Sequence, residues 1–274
     1  TKDADFLKEF YPKLKSYHKW WYIERDHDQD GLCEFGSTDG TLVAGKWESG
    51  MDNAVRFDNT KILKNGDHAY SLDQESVDLN SFLYAEKNYL MKIAQVLRLK
   101  AEAKEWETEN TTLKTKIQNQ FWDPTTAWFY DTTIDGKSFI KEMGCEGFLP
   151  LWAEVATAEQ AKSIKENLLN PDTFNTFVPL PTLAANHPKF KPDGGYWRGP
   201  IWIDQSYFGI NGLEKYGYTN EANQLAYKLI HNPDGALEKG KAIRENYNPI
   251  TGKGLEAFNF SWSAAHYLML LLKN

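Results

Sequence analysis

Apolar residues recur at helical spacing through most of the chain. Between Asp3 and about Ile23 they return every three or four positions, which predicts an amphipathic helix capped by Asp3. Pro200 suits the first turn of another helix, whose apolar set begins at Trp202. The same periodicity predicts further helices over about 76–99, 101–121, 147–155, 157–169, 220–231 and 263–272.

The pattern contains no strand-rich block. Only the piece from Trp128 to Asp131, which follows a break from Asp123 to Thr126, indicates a short extended segment or hairpin. About eight helices alternate with loops rich in glycine, aromatic and acidic residues, and no sequence repeat of fixed period accompanies them. This alternation is typical of paired-helix toroids, so we predict an all-α fold.

Composition narrows the class of protein. The chain has 274 residues, enough for one large or two small domains, and 41% of them are hydrophobic. A net charge of -7 and the lack of a Lys/Arg block argue against nucleic acid and against an anionic membrane as partners. No apolar stretch reaches the roughly 20 residues that a membrane helix needs. Aromatic residues make up 14% of the chain, as in sugar-binding clefts and also in aromatic-rich cores.

The stretch from Trp47 to Asn53 combines an indole, two carboxylates and a glycine. An indole can stack on the apolar face of a sugar ring, while Glu48 and Asp52 can bind hydroxyls or exchange protons with a glycosidic oxygen. The alternative is a helix start with Ser49 as its cap and acidic residues near the positive end of the helix dipole.

A second acidic stretch runs from Asp26 to Glu34. Its carboxylates alternate with other residues before a glycine, so that Asp26, Asp28, Asp30, the Leu32 carbonyl and Glu34 can supply oxygen ligands for calcium. The stretch is not an EF-hand, because position 12 of such a loop is a serine here. The alternative is a solvated acidic turn.

The C-terminal third carries another dense cluster, between Gly195 and Gln205. A helix beginning near Pro200 would gather Trp197, Arg198 and Asp204 at its N-terminal end, either as a binding site or as a tightly packed aromatic helix start. Further on, Glu245 and Glu256 lie in what the pattern indicates is one loop. Either could be the counterpart of Asp52, and composition does not separate them.

The two cysteines, Cys33 and Cys145, follow no metal-ligand spacing. They are predicted to be free thiols or one disulfide, and they do not identify the compartment.

Four motifs occur in a fixed order. They are Trp-Glu-Ser-Gly-x-Asp, Tyr-Trp-Arg-Gly-x-x-Trp-x-Asp-Gln, Glu-Asn-Tyr-Asn-Pro-x-Thr-Gly and Asn-Phe-Ser-Trp-Ser-Ala-Ala-His. Together they resemble the bacterial α-glucosidases of glycoside hydrolase family 63, over about Tyr17 to His266. The resemblance implies an (α/α)6 toroid and inverting hydrolysis of an α-glucosidic bond in an oligosaccharide or disaccharide. It places the general acid on Asp52 and the general base on Glu245, and so gives Glu256 no such role.

The same resemblance implies the remaining site residues. A structural Ca²⁺ would be bound through the acidic loop together with Glu75. The glucose subsite would be lined by aromatic and charged side chains, namely Trp47, Glu48, Trp197, Arg198, Trp202, Asp204 and Trp262.

The resemblance also bears on domain organisation. Such enzymes carry an N-terminal β-rich domain, which is not expected here, and a twelve-helix toroid that takes more than 274 residues. Residues 1–274 are therefore expected to form the catalytic domain or its C-terminal portion, with the remaining part of the same enzyme as a partner. Two alternatives are a related hydrolase of glucosyl- or mannosylglycerate or of trehalose, and a non-catalytic sugar-binding or scaffold fragment.

Overall fold

The computed structural model describes residues 3–272, which form two compact units. The first comprises residues 3–52, 59–122 and 131–140, and the second residues 53–58, 123–130 and 141–272. Helices are the commonest element of the described chain. They are α1 (Ala4–Glu24), α2 (Leu42–Glu48), α3 (Val77–Val96), α4 (Lys100–Gln120), α5 (Leu149–Trp152), α6 (Ala158–Leu169), α7 (Ile203–Lys215), α8 (Thr219–His231) and α9 (Ser261–Leu271), with 3-10 turns at Val55–Phe57 and Cys145–Phe148.

Short strands connect the helices. They are β1 (Gly36–Ser37), β2 (Ile62–Lys64), β3 (Tyr70–Leu72), β4 (Gln74–Glu75), β5 (Trp122–Asp123), β6 (Trp128–Phe129), β7 (Thr132–Thr133), β8 (Arg244–Tyr247) and β9 (Gly254–Phe258). The strand order is β1-β3-β2 in a three-stranded sheet, and the pairs β4-β7, β5-β6 and β8-β9 form two-stranded sheets.

In the first unit, α1 and α4 pack against α3. The Asp3 carboxylate accepts a hydrogen bond from the Phe6 amide and so caps α1, as the sequence predicts. Tyr11, Leu90, Ala94 and Trp106 form the buried cluster at this contact. The cluster fixes the apolar side of α1. The acidic loop from Asp26 to Glu34 follows directly after α1, so its first residues are fixed as well.

The three-stranded sheet of the first unit needs a glycine at its edge. A Cβ at Gly36 would lie 1.9 Å from the Tyr70 carbonyl oxygen, so no other residue allows β1 to approach β3 this closely. After β3 the chain passes through β4, and Glu75 lies at its end, directly before α3. The antiparallel pairing of β4 with β7, which places Glu75 opposite Thr132, therefore sets the position of Glu75.

In the second unit, α7 packs against α5, α8 and α9. Gly212 permits the contact with α5, because a Cβ there would lie 2.8 Å from the Leu151 Cβ. Trp128, Phe148 and Phe174 form a fully buried aromatic group, in which Trp128 stacks on Phe174 at 5.0 Å between ring centroids. Through the 3-10 turn that carries Phe148, this core packs against α7, whose N-terminal end holds the candidate site residues of this unit.

Most predicted helices are confirmed within a few residues. One prediction is wrong, one alternative is excluded and one prediction is not confirmed. The segment that contains Glu245 is not a loop, because Arg244–Tyr247 is a strand paired with β9. The stretch from Trp47 contains a helix end and not a helix start, since Ser49 is the C-cap of α2. The short strands mean that the all-α description is not confirmed, although helices dominate the described residues.

Two smaller points concern thiols and membranes. Cys33 and Cys145 are both buried, and no disulfide joins them. Among the helices described for residues 3–272, none combines the length and the apolar character needed to cross a membrane.

Candidate active site

A short loop before α7 organises the site of the second unit. Tyr196 has φ of +61°, an uncommon conformation for a residue with a side chain, and its carbonyl accepts a hydrogen bond of 3.0 Å from the Trp202 indole. The Thr182 hydroxyl accepts from the Gly199 amide and donates to the Pro200 carbonyl. Hydrogen bonds therefore fix the loop both at Tyr196 and at Gly199 and Pro200.

Indole rings form the wall that this loop supports. Trp197 and Trp202 stack with 4.0 Å between ring centroids and 9° between planes, and both are buried. Trp262, at the start of α9, lies 5.4 Å from Trp202 and keeps 38% of its surface exposed. Trp262 therefore offers a surface on which a sugar ring can stack.

Polar atoms without partners lie beside this wall. The Gln205 amide donates to one oxygen of Asp204 at 2.9 Å. The other Asp204 oxygen, the Gln205 carbonyl oxygen and the Trp197 indole nitrogen are buried and have no hydrogen-bond partner within the described chain. Burial raises the pKa of Asp204, although the Gln205 amide acts in the opposite direction. Buried polar atoms are normally paired, so this group could hold a polar ligand.

Glu245 projects from β8 with both carboxylate oxygens hydrogen-bonded. The Tyr196 hydroxyl donates to Oε1 at 3.1 Å, and the Ala257 amide donates to Oε2 at 3.2 Å. Glu256, by contrast, is exposed on β9, with φ of +54°. A general base requires a carboxylate held in a fixed orientation, and the two donors provide this for Glu245.

Arg198 is hydrogen-bonded to other residues of the second unit. Its Nε donates to the Asn53 carbonyl at 2.8 Å, and its guanidinium pairs with Asp58, which Lys189 also contacts at 2.7 Å. Partial burial by itself would raise the pKa of Asp58, but Lys189 and Arg198 lower it below its ordinary value. The Asn53 side chain accepts from the Trp197 amide and donates to the Gly195 carbonyl, so this group holds the loop in place.

In the first unit, the predicted residues occupy the end of α2 and the turn after it. Trp47 is 61% exposed, while both oxygens of Glu48 accept hydrogen bonds from the Arg25 guanidinium at 2.8 Å. The Gly36 amide adds a third bond to Glu48, of 2.6 Å. Asp52 is half-buried in the turn that follows. The exposed ring of Trp47 can thus stack on a sugar, whereas Glu48 is already paired.

The acidic loop brings together the carboxylates predicted to bind calcium. Asp28 offers oxygens both to a group with Asp26 and Asp30 and to a group with Glu34 and Glu75, with the ligand atoms of each group within 4.8 Å of one another. Leu32 is fully buried, and its amide donates to Asp30 at 2.7 Å.

Three oxygens of this cluster could hold a cation. One each from Asp26, Glu34 and Glu75 is buried without a hydrogen-bond partner in residues 3–272. Burial, with the charges of neighbouring carboxylates, raises the pKa of Glu34 and of Glu75 to about 9, and burial also raises that of Asp26. Buried, unpaired hard oxygens at this density fit a calcium ion.

Several residues of the site were not among those predicted. Tyr196 and Gln205 lie inside the second motif, and Asn53 ends the first stretch, so their place in a motif was the available signal. For Arg25 and Asp58 the sequence offers none, because both act through partners distant in the chain.

Comparison with known proteins gives a consistent family. Residues 1–263 match the model of the mannosylglycerate hydrolase MGH1-like glycoside hydrolase domain. Mannosylglycerate hydrolase of Rubrobacter radiotolerans is 24% identical over 98% of this chain and 68% of its own length. Mannosyl-oligosaccharide glucosidase of Saccharomyces cerevisiae is also 24% identical, over 95% of this chain and 34% of its own.

The fold has a solved counterpart. The mannosylglycerate hydrolase of glycoside hydrolase family 63 from Thermus thermophilus, crystallised with glucose, superposes with a TM-score of 0.78 at 22% identity, over 99% of this chain and 70% of that one. The same enzyme was also crystallised with Tris and D-glycerate. At this identity the match identifies the fold alone, that of a helical glycosidase of the six-hairpin type.

Proposed function

The chain belongs to the mannosylglycerate hydrolase MGH1-like glycoside hydrolases of family 63, and from this premise we propose that it is an inverting, exo-acting hydrolase of a short α-linked glycoside. The observation that carries the proposal is the group of unpaired buried polar atoms of Asp204, Gln205 and Trp197 beside stacked indoles. Such a combination suits a sugar ring, which has apolar faces and a polar rim.

Two carboxyl groups divide the chemistry. In the proposed mechanism Asp52 protonates the leaving oxygen, and Glu245 removes a proton from the water that attacks the opposite face of the sugar ring. The bond between the anomeric carbon and the leaving oxygen breaks as the bond to water forms, so the configuration inverts. Support for Glu245 as the base comes from its two hydrogen-bond donors, which aim the carboxylate.

The other predicted residues take two kinds of role. Trp47, Trp202, Trp262 and Asp204 are proposed to contact sugar, with Trp197 completing the indole wall. Arg198 and Glu48 are proposed to act through their neighbours, because the guanidinium of one and the carboxylate of the other are already bonded.

For the substrate we propose α-linked mannosyl- or glucosylglycerate first and a simple α-glucoside second. The family description and the Rubrobacter relative favour the glycerate glycosides, and the Saccharomyces relative favours an α-glucoside. Trehalose is a third candidate within the same class of reaction.

A substrate panel tests these proposals. Purified protein is incubated with mannosylglycerate, glucosylglycerate, trehalose and α-linked glucose disaccharides, and free hexose is measured. Asp52→Asn and Glu245→Gln are expected to lower hexose release by at least about 1,000-fold while each variant keeps its circular dichroism spectrum. Glu256→Gln is the matched control and should retain activity. Affinity for these sugars without any turnover would instead identify a binding fragment.

We also propose that the acidic loop binds a structural Ca²⁺. Asp26, Asp28, Asp30, Glu34 and Glu75 provide carboxylate oxygens, and the carbonyl of the buried residue Leu32 completes the set. The ion would neutralise buried charge and tie the loop to the start of α3, and it supplies nothing to the reaction. The prediction that the remaining part of the same enzyme is a partner stays a prediction.

A further inference from the structure

Arg25 connects the acidic loop to the turn that carries Asp52. It is the C-cap residue of α1 and only 1% exposed, and the next residue, Asp26, is the first of the acidic loop. Its carbonyl accepts the Glu34 amide at 2.8 Å, which closes the loop at its other end. The backbone of Arg25 is thus part of the loop.

The side chain of Arg25 points to a different segment. Its Nε and Nη2 both donate to Glu48 at 2.8 Å, its Nη1 donates to the Glu24 carbonyl at 3.1 Å, and its guanidinium lies 4.7 Å from the Trp20 ring. This planar, two-bond arrangement fixes orientation as well as distance, which a lysine cannot do.

Glu48 in turn fixes the end of α2. Its third bond, from the Gly36 amide, ties it to β1, and a Cβ at Gly36 would lie 2.9 Å from the Arg25 Nε, so glycine leaves room for the pair. The last turn of α2 leads through Ser49 and Gly50 to Asp52 within four residues.

We propose that Arg25, through its ion pair with Glu48, is a positioning residue that fixes the Trp47–Asp52 turn to the acidic loop, so that order in the loop is transmitted to the candidate general acid. This inference rests on the proposed role of Asp52 only for its effect on catalysis. The mechanical link itself does not depend on the reaction.

Hydrogen exchange measures the link directly. In metal-free protein, Arg25→Lys is expected to speed exchange of the amides from Gly45 to Met51 by about tenfold or more, because the lysine keeps the charge but loses the two-bond fork. Lys15→Gln is the matched control. It breaks the Lys15–Glu102 ion pair of the same unit and should leave these amides unchanged.

Addition of calcium chloride then tests whether order in the acidic loop is transmitted to the Trp47–Asp52 turn. In the wild-type protein calcium should slow exchange both in residues 26–34 and in residues 45–51, and in Arg25→Lys it should slow the first segment only. Equal exchange at 45–51 in wild type and variant without metal would overturn the link. Calcium protection of 45–51 that survives in Arg25→Lys would overturn its transmission through Arg25.

Steady-state kinetics distinguish a positioning role of Arg25 from a purely structural one. Arg25→Lys and Glu48→Gln are each expected to lower kcat by about 10- to 100-fold in folded protein, and the double variant should lose no more than the worse single one. Additive losses, or a loss of melting temperature with kcat unchanged, would contradict the proposal. A wild-type protein that hydrolyses no glycoside would refute the proposed function instead, and the exchange experiment would still decide the link.

Discussion

The hydroxyl of Tyr196 donates a hydrogen bond of 3.1 Å to Oε1 of Glu245. Tyr196 holds this position with a left-handed backbone conformation at φ of +61°, and its own carbonyl is bonded by the Trp202 indole. A residue with a side chain adopts that conformation only when its surroundings over-determine it, and such strain concentrates at functional sites. The loop before α7 and the β8–β9 hairpin are thus joined at the candidate general base.

Tyr196→Phe tests this bond. Loss of the hydroxyl should leave the Glu245 carboxylate held by the Ala257 amide alone, so kcat is expected to fall about 10- to 100-fold with less change in KM. Steady-state kinetics on the best substrate of the panel provide the measurement. Tyr227→Phe, on the exposed face of α8, removes a hydroxyl from the same unit and should have no effect. Equal kinetics of the two variants would remove Tyr196 from the site.

The Arg198–Asp58 pair makes a second prediction. If Arg198 acts by holding the loop through Asp58, then Arg198→Lys and Asp58→Asn should raise KM by similar factors, and the double variant should resemble either single one. A direct bond from Arg198 to substrate would instead make Arg198→Lys much more damaging than Asp58→Asn. A double-mutant cycle on kcat/KM distinguishes the two cases.

Calcium removal makes a third prediction. A hundredfold excess of ion over its Kd stabilises the folded state by about 2.7 kcal/mol, which for a chain of this size corresponds to about 5 °C in melting temperature. Chelation should therefore lower the melting temperature by that amount, and Glu34→Gln should abolish the difference. Asp67→Asn, an exposed acidic residue of the same unit, is the control. Chelation without effect on the wild type would refute the calcium site.

The pH dependence of the calcium-free protein follows from the same carboxyls. Burial raises the pKa of Glu34 and Glu75 from ordinary values to about 9, so the folded state binds more protons than the unfolded state between roughly pH 4.5 and 9. Stability in chelator should therefore fall as pH rises through that window. Because calcium needs the ionised carboxylates, its stabilising effect should grow over the same range. Thermal unfolding at pH 5, 7 and 9, with and without calcium, measures both trends.

The sequence predicted the helices of this fold well and the pairing of its strands poorly. Helices such as α1 are recognisable from a local periodicity and a cap at Asp3, both of which lie within a few residues. The strand carrying Glu245 is not, because it is defined by its pairing with β9 and not by a local pattern.

The same difference between local patterns and long-range contacts applies to the site. Motif order located Trp197, Trp202 and Glu245 as members of aromatic and polar clusters, but it could not tell a side chain open to sugar from one already bonded. Glu48 and Arg198 illustrate the point, since their partners Arg25 and Asp58 lie 23 and 140 positions away. Long-range ion pairs leave no trace in local composition.

The stereochemistry of the first product tests the central claim most directly. Proton NMR can follow hydrolysis of α-linked mannosylglycerate or glucosylglycerate before the sugar mutarotates. An inverting mechanism with Asp52 as acid and Glu245 as base predicts that the β anomer of the hexose appears first and that Glu245→Gln releases none. Initial release of the α anomer, or release by Glu245→Gln at the wild-type rate, would contradict the account.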